Sequence, residues 1–374
     1  MIHRLRIQNY KSLRDVTVEL SPVTVFIGKS GTGKTNLASA IRFLRDYLAS
    51  PPGGVSDQWP RCKCATNPSG GMDFYVEFEV PGFPKRFVYT LGLNERSPGN
   101  VPRFEALEYG GQTVFRQTAP AQERPHWEVE PSLISPPEPG PVALGRLPGL
   151  EVAVVAFTAL TTGIGVHAFP YIVLTAPGAA RGASGLADGG ENYLDVLKEI
   201  ASSLHNPLAR KAIAAALRKI NSTVASAELN SVHSPTTVIV GHRLGDKILQ
   251  LELRQESDGF RRFYAHLLAL YQTPPKQTLV FEEPENGIYP GAVSLLADEF
   301  KAAPGAQRGQ VLITTHSPAL LDHFTADQIR VVELADSLET QVGPLAEEQR
   351  EALREELLHA GELLTVDPAR RDVE

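Results

Sequence analysis

The sequence predicts an α/β fold built around a phosphate-binding loop, with a mixed β-sheet flanked by helices, an antiparallel β lobe and a small helical insert. Three observations carry this expectation. First, an apolar run, Val23 to Ile27, ends at Gly28 and a glycine-rich loop, after which Leu37, Ile41, Leu44 and Leu48 recur at helical spacing. Second, the last third of the chain alternates short β-rich runs (Leu279-Val280-Phe281, Val311-Leu312-Ile313, Val331-Val332) with helical segments opening near Pro290 and Pro318, the pattern of a parallel sheet. Third, residues 72–129 are dominated by strand-like runs, clearest at 74–80 and 86–91 with Pro81-Gly82-Phe83-Pro84 as the turn, which predicts antiparallel pairing.

Taken in order, the chain opens with two alternating stretches. Arg4 and Arg6 interleave with Leu5 and Ile7, and Val16, Val18 and Leu20 with Thr17 and Glu19, giving two antiparallel strands joined by residues 9–14. Residues 50–71 are rich in Pro, Gly, Ser and Cys and read as a loop, and residues 131–148 as a surface linker. Residues 152–175 are apolar without a clear period, and 176–190 form another Gly/Ala-rich loop. Residues 192–221 are helical, with Leu194, Leu197, Ile200 and Leu204 on one face, and Ile213, Leu217 and Ile220 on a second helix after Pro207. Strands follow at 238–240 and 248–253, and a charged amphipathic helix at 347–364. No heptad pattern is sustained, so no long coiled coil is expected. The expected organisation is one head, 1–374, with a first lobe at 1–180, a helical insert at 181–225 and a second lobe at 226–374.

At 374 residues, 42% hydrophobic and 21% charged, the chain can bury a sizeable core. A net charge of -7 and a pI near 5.9 argue against a generally basic nucleic-acid binder. Arg210, Lys211, Arg218 and Lys219 form the best basic stretch, more simply read as a solvated helix face. No apolar run is long enough to span a bilayer and the N-terminus lacks a signal-peptide core, so a cytoplasmic location without membrane contact is expected. Cys62 and Cys64 cannot complete a four-ligand zinc site alone and read as free thiols.

The loop itself, Gly28-Lys29-Ser30-Gly31-Thr32-Gly33-Lys34-Thr35-Asn36, fills the pattern G-x-x-x-x-G-K-[ST]. Glycines permit positive φ and bring backbone N–H groups close to phosphate oxygens, and the following helix N-terminus adds partial positive charge. Lys34 is expected to reach the β- and γ-phosphates of ATP, and the Thr35 hydroxyl to bind Mg²⁺. Downstream, the strand 278–281 delivers two adjacent carboxylates, Glu282 and Glu283, the first placed to ligate Mg²⁺ and the second to orient and deprotonate water. The strand 311–313 runs into Thr314-Thr315-His316-Ser317-Pro318, setting His316 at a C-terminal strand end, where α/β folds place ligands. Ser257-Asp258-Gly259 precedes an amphipathic helix with Phe260, Phe263, Tyr264, Leu267 and Tyr271 on one side; it reads either as an ordinary N-cap or as a nucleotide-contacting signature.

This order of motifs resembles the ABC-type ATPases of the RecF, SMC and OLD group, and most of all the bacterial "AAA family" predicted ATPases whose acidic strand reads Glu-Glu-Pro-Glu-Asn-Gly. Residues 7–13 also resemble that group's opening strand and turn, whose Lys11 and Ser12 would then lie near the nucleotide. The resemblance implies an ABC/SMC-head-like fold. It makes residues 28–35 the Walker A loop, Glu282 the metal-associated Walker B acid, Glu283 the catalytic base and His316 the switch histidine. Ser257, Asp258 and Gly259 become the signature, which in this group contacts ATP on the opposite protomer. The chain departs from the family in having Glu282 where many relatives carry Asp, and in offering only Gln112, Gln117 and Gln122 as Q-loop candidates. A nuclease-type acidic cluster and the long SMC coiled coil are not apparent.

The resemblance thus implies an ATP-binding and ATP-hydrolysing, Mg²⁺-dependent switch that dimerises head to head around ATP. Its output would go to DNA, to a partner protein such as a separately encoded nuclease, or to both, in genome maintenance or anti-phage defence. The alternatives are a non-hydrolysing ATP-binding scaffold, or the nucleotide-binding subunit of a transporter. The absence of an Asn-Lys-x-Asp sequence argues against a GTPase.

Overall fold

A computed structural model of the chain describes residues 1–50, 59–94, 102–118, 126–129, 144–146, 150–170, 172–175, 185–203, 208–230 and 236–372. The expected linker at 131–148 falls almost wholly outside these residues, as do Leu204, Gln122 and parts of the loops at 50–71 and 176–190. In chain order the elements are β1 (Ile2–Tyr10), β2 (Leu13–Glu19), β3 (Val23–Ile27), α1 (Lys34–Ala49), α2 (Trp59–Cys62), β4 (Met72–Phe78), β5 (Phe87–Leu93), β6 (Phe104–Tyr109), β7 (Gln112–Thr118), β8 (His126–Val129), α3 (Glu151–Leu160), β9 (Ile164–His167), α4 (Tyr193–Ser202) and α5 (Ala209–Ile220). Next come β10 (Val224–Asn230), β11 (Thr237–Leu244), β12 (Lys247–Glu252), α6 (Asp258–Tyr271), β13 (Thr278–Glu282), α7 (Pro290–Gly305), β14 (Gln310–Thr314), α8 (Pro318–Leu321), β15 (Ile329–Leu334), β16 (Thr340–Pro344) and α9 (Glu347–Arg354). No helix among the described residues is long and apolar enough to cross a membrane.

These elements form two compact units that interleave in sequence. The first comprises Met1–Ile164, Ala326–Leu357 and Pro368–Glu374, and the second Gly165–Thr325 and Leu358–Asp367. The helices expected as an insert at 181–225 pack within the second unit, whereas β15, β16 and α9, from the C-terminal third, belong to the first.

In the antiparallel sheet of the first unit apolar residues gather on one buried face, as a half-covered sheet demands. β4, with the pattern Met72, Phe74, Val76 and Phe78 inward, is the plainest example. Among the described residues this sheet runs β2-β1-β4-β5-β6-β7-β8, with Leu5 opposite both Val18 and Val76. Its core includes a ring cluster in which Phe87 lies 5.2 Å from Phe78 and 4.8 Å from Tyr109. Tyr89 and Gln117 donate hydrogen bonds to the buried Glu105 carboxylate, so this Q-loop candidate is committed to an internal bond. Gln112 is exposed at the start of β7. Elsewhere in the unit, β3 is buried at every residue and pairs in parallel with β15, Val25 opposite Ile329. β16 adds antiparallel to β15. Cys62 and Cys64 are free and buried, and no cluster of metal-ligand type occurs among the described residues.

In the second unit β13 and β14 pair in parallel and in step, Thr278 opposite Gln310 through Glu282 opposite Thr314. Beneath the acid strand, Phe281 contacts Phe300 at 4.8 Å and His266 at 5.4 Å. His266 is an imidazole used as core: burial pushes its pKa down to about 3, so the neutral ring donates from Nδ1 to the Arg262 carbonyl at 2.7 Å. The helix expected to bury one side, α6, is buried from Phe260 through Leu270, including Arg261 and Arg262.

Four sequence expectations change. The apolar stretch 152–175 resolves into α3 and β9, and β10 joins β11 and β12 in a three-stranded sheet that the alternation did not announce. The single helix expected at 347–364 is broken. α9 ends at Arg354, Glu356 takes a left-handed φ of 58°, and a 3₁₀ turn restarts at Ala360–Leu364. Its cause is local: Glu362 accepts from the His359 amide at 2.8 Å, a capping box that begins a new turn. Finally, the helix opening at Pro318 is one turn long.

Truncating Phe87 to alanine would leave an unfilled cavity among Phe78, Phe83 and Tyr109. We expect Phe87→Ala to cost about 3–5 kcal/mol, read as a lowered urea midpoint followed by tryptophan fluorescence and circular dichroism; an unchanged midpoint would contradict the packing described.

Candidate nucleotide-binding site

The P-loop is shaped by close approach. Gly28 lies so near β15 that a Cβ there would stand 2.0 Å from the Val332 carbonyl oxygen. Gly31 and Gly33 have φ of 80° and 106°, conformations that favour glycine. Gly33 is the N-cap of α1 and brings no side chain to it, so its first-turn amides are not capped from that position. Lys34 is buried, with Nζ donating to the Gly28 carbonyl at 2.8 Å and the Lys29 carbonyl at 2.9 Å, so the ammonium is folded over the loop. Lys29, Ser30, Gly31 and Thr35 are exposed.

A chain of hydroxyl and amide groups pins this loop. Asn36 Nδ2 donates to Ser12 Oγ at 2.8 Å, Ser12 and Thr340 hydroxyls meet at 2.6 Å, and Thr340 Oγ1 donates to the Thr32 carbonyl at 2.8 Å. Because the Thr340 hydrogen is spent on Thr32, Ser12 is the donor to Thr340. Thr32 Oγ1 in turn donates to the Lys29 carbonyl at 2.9 Å. Ser12 therefore lies beside Gly33, while Lys11 Nζ turns to Ser39 Oγ at 3.0 Å. The Asn36 side chain is taken up in bracing the loop. Thr340 carried no sequence signal, since it comes from a strand more than three hundred residues downstream.

The acidic strand and the histidine strand end side by side in the second unit. Glu282 closes β13 opposite Thr314, half-buried. Glu283 follows with a left-handed φ of 44°, its amide donating to the Thr314 carbonyl at 2.9 Å. That turn swings the carboxylate outward, where Oε2 accepts from Asn286 Nδ2 at 2.6 Å and Oε1 lies 3.9 Å from His316 Nε2. His316 is exposed. Two residues on, Glu285 Oε1 accepts from the Thr315 hydroxyl at 2.6 Å and the His316 amide at 3.1 Å. Burial pushes the Glu285 carboxyl above its ordinary range, with those donors pulling it partly back.

Ser257 caps α6, its Oγ accepting from the Phe260 amide at 3.3 Å. The N-cap reading is thus realised, and Ser257 and Asp258 are exposed all the same. The segment is held from behind: Arg261 donates to the Asp258 carboxylate and to the Glu256 and Val173 carbonyls, and Glu256 accepts at 2.6 Å from His242. Gly259 meets the turn after the acidic strand so closely that a Cβ would lie 2.9 Å from the Gly287 carbonyl, and Arg262 donates to the Asn286 carbonyl at 2.8 Å. Within this unit the start of α6 and the turn after Glu283 are therefore in direct contact. Of the participants, Glu285, Asn286 and Arg262 were not singled out from sequence, although the first two lie inside the Glu-Glu-Pro-Glu-Asn run.

Comparison with known proteins bears on both stretches. A family model described as "AAA ATPase domain" matches residues 1–67, and one described as "AAA domain, putative AbiEii toxin, Type IV TA system" matches residues 186–322. The DNA replication and repair protein RecF of Phocaeicola vulgatus is 34% identical over 87 residues, 22% of this chain and 19% of that protein. The DNA repair protein RecN of a Synechocystis strain is 35% identical over 105 residues, 26% of this chain and 18% of RecN, and the OLD nuclease of Thermus scotoductus is 28% identical over 74 residues, 20% and 12% respectively. Over these stretches the chain is similar to the ABC/SMC-like ATPases of the RecF/OLD group. Each match spans less than a fifth of the length of these curated relatives.

The fold agrees with that similarity. An Smc head bound to the C-terminal winged-helix domain of ScpA superposes with a TM-score of 0.56 at 15% identity, covering 93% of this chain and 99% of that one. A Pyrococcus furiosus Smc head bound to the C-terminal domain of ScpA gives 0.55 at 14%, covering 95% and 99%. The P-loop fold implies nucleotide binding, and the loop's positive-φ glycines, Lys34 and the exposed Thr35 hydroxyl fit a phosphate and a hard cation.

The wall against Gly28 is backbone and cannot swing aside. We expect Gly28→Ala to lower the unfolding midpoint by the equivalent of about 1–3 kcal/mol, and to weaken nucleotide binding because β3 and β15 must part; a variant as stable as the parent would show that Gly28 is not wedged against Val332.

Proposed function

We propose that the chain is an ATP hydrolase working as a switch, in which ATP joins two copies head to head and hydrolysis releases them. The observation that carries this reading is the outward-turned Glu283 carboxylate, positioned by Asn286 and 3.9 Å from the exposed His316. A carboxylate so placed can orient a water molecule and take its proton, and an imidazole beside it can contact the γ-phosphate and register its loss. A structural acidic turn has no need of either group facing solvent.

Lys34 moves from the Gly28 and Lys29 carbonyls to the β- and γ-phosphates, and residues 28–36 wrap the phosphate chain with backbone amides. Thr35 and Glu282 are assigned to Mg²⁺, which when bound neutralises charge that develops on the phosphate oxygens. Glu282 reaches one methylene further than an aspartate would. Ser257, Asp258 and Gly259 are assigned to ATP bound by the second copy, the exposure of Ser257 and Asp258 at the head of α6 supporting that role. Relatives named for DNA replication and repair and for a nuclease favour a DNA-associated process in the cytoplasm, in genome maintenance or anti-phage defence. The acidic net charge favours a partner protein, such as a nuclease, as the receiver of the signal over autonomous DNA binding.

Two measurements test the reading. Hydrogen bonds to charged groups are worth about 1.5–3 kcal/mol, so Lys34→Ala should bind ATP about 10- to 100-fold more weakly by titration calorimetry, and wild-type ATPase activity in that variant would remove the P-loop assignment. Loss of a general base costs about 10²- to 10⁴-fold in rate, so Glu283→Gln should release phosphate at that reduced rate while binding ATP normally. It should then accumulate as an ATP-loaded dimer in light scattering after size exclusion. Negligible phosphate release by the parent protein would leave a binding scaffold, and a Glu283→Gln protein that stays in its ATP-free assembly state would sink the switch.

A further inference from the structure

The proposed mechanism uses Glu282, Glu283 and His316 and leaves a third acid, Glu285, without a task. Its setting is unusual for a surface turn. The residue is only partly accessible, and its Oε2 is buried without a hydrogen-bond partner. The Oε1 atom carries both of the bonds that leave the histidine strand at this point, from Thr315 Oγ1 at 2.6 Å and from the His316 amide at 3.1 Å. An acid buried in this way is costly to keep unless its acceptor function is needed.

The donors on the other side are equally committed. Thr315 is fully buried; its hydroxyl gives its hydrogen to Glu285 and accepts from the Ser317 amide at 2.9 Å. Ser317 then caps α8, accepting from the Leu320 amide at 3.2 Å. Residues 315–317 are thereby held in one conformation from Glu285 to the first turn of α8. The backbone tie from the Glu283 amide to the Thr314 carbonyl fixes the other edge of the same junction. His316 is the one residue of this stretch whose side chain faces solvent, and its backbone direction is set by the bond to Glu285.

From this geometry we infer that Glu285 is a positioning residue: by accepting from Thr315 and the His316 amide it holds the His316 imidazole beside the Glu283 carboxylate, so that base and γ-phosphate sensor act at one distance. The inference rests on the proposed ATP hydrolysis. Acceptor capacity is what matters, so glutamine, whose carbonyl oxygen can take both bonds, substitutes for Glu285, and alanine does not.

The experiment is a double-mutant cycle on the full chain. Glu285→Ala should lower kcat about 10- to 100-fold, the scale of a misplaced reacting group, with KM for ATP within about threefold of the parent. Glu285→Gln should retain kcat within about threefold of the parent. In a His316→Ala background, adding Glu285→Ala should change kcat by less than about twofold, because non-additivity marks residues that act as one unit. A readout independent of turnover accompanies it: the His316 amide proton resonance in a ¹⁵N-labelled sample should move upfield in Glu285→Ala and exchange faster with solvent, and stay near its parental position in Glu285→Gln.

Should Glu285→Ala fail to fold, Thr315→Val removes the main donor at nearly constant shape and should show the same kcat loss and the same non-additivity. Additive effects of the 285 and 316 substitutions, a parental kcat in folded Glu285→Ala or Thr315→Val, or a parental kcat in His316→Ala would each overturn the inference. A parent protein that releases no phosphate defeats the ATPase reading instead, and the His316 amide shift then still reports whether Glu285 holds that strand.

Discussion

The P-loop depends on a backbone carbonyl that leaves no room for a side chain. With Gly28 pressed on Val332 and Thr32 held by Thr340, the loop is walled by two strands from the far end of the chain. A loop that must present converging amides to phosphates cannot satisfy those amides itself, so it has to be kept open from outside. The series Asn36, Ser12, Thr340 does this, each hydroxyl donating once and accepting once, with the Thr340 amide also donating to the Ser12 carbonyl. It also explains why β15 and β16 return to the first unit: without them the loop would have nothing to lean on.

The second unit solves a different problem, that of holding neighbouring acids at a strand end and turning them in different directions. Glu283 escapes the β13 direction by adopting a left-handed φ, which a non-glycine residue accepts only where its surroundings compensate. Compensation comes from the amide bond to Thr314 and the side-chain bond from Asn286. Asn286 also offers its carbonyl to Arg262 of α6, so the turn that holds Glu283 outward is the turn on which α6 rests. Gly259 and Arg262 thus meet the turn that follows Glu283 directly, at the Gly287 and Asn286 carbonyls.

Much of this was legible beforehand, for reasons that differ by element. Strands β3, β13 and β14 and helices α1 and α7 carry strong local signals: uninterrupted apolar runs, glycine punctuation, proline at the helix start. α6 was legible in position but misjudged in kind. Its one-sided aromatic stripe hid the fact that Arg261, Arg262 and His266 are also buried, each satisfied by a carbonyl that belongs to a turn or to the helix itself. β10 was missed because Ala, Ser, Glu and Asn give it little β-propensity, and pairing with β11 supplies what propensity does not. The break at Glu356 was missed because charge and amphipathicity run through it; a capping box at His359 and Glu362 was the signal available.

By itself the sequence determined the chemistry on offer: a phosphate loop, a pair of acids, a histidine and a capping serine, each at the end of a recognisable local element, because strand ends and helix starts are dictated by neighbours in sequence. It also pointed to the group that the chain resembles, since these motifs stand in that group's order. Only the tertiary structure decided which side chains brace and which stay exposed. Ser12, Asn36 and Thr340 became struts, Gln117 was consumed by Glu105, and Glu285 was turned inward to the histidine strand while Glu283 was turned out. The physical reason is that a polar group's role depends on where its partner lies, and here the partners of the loop and of the acids come from segments that no local pattern connects.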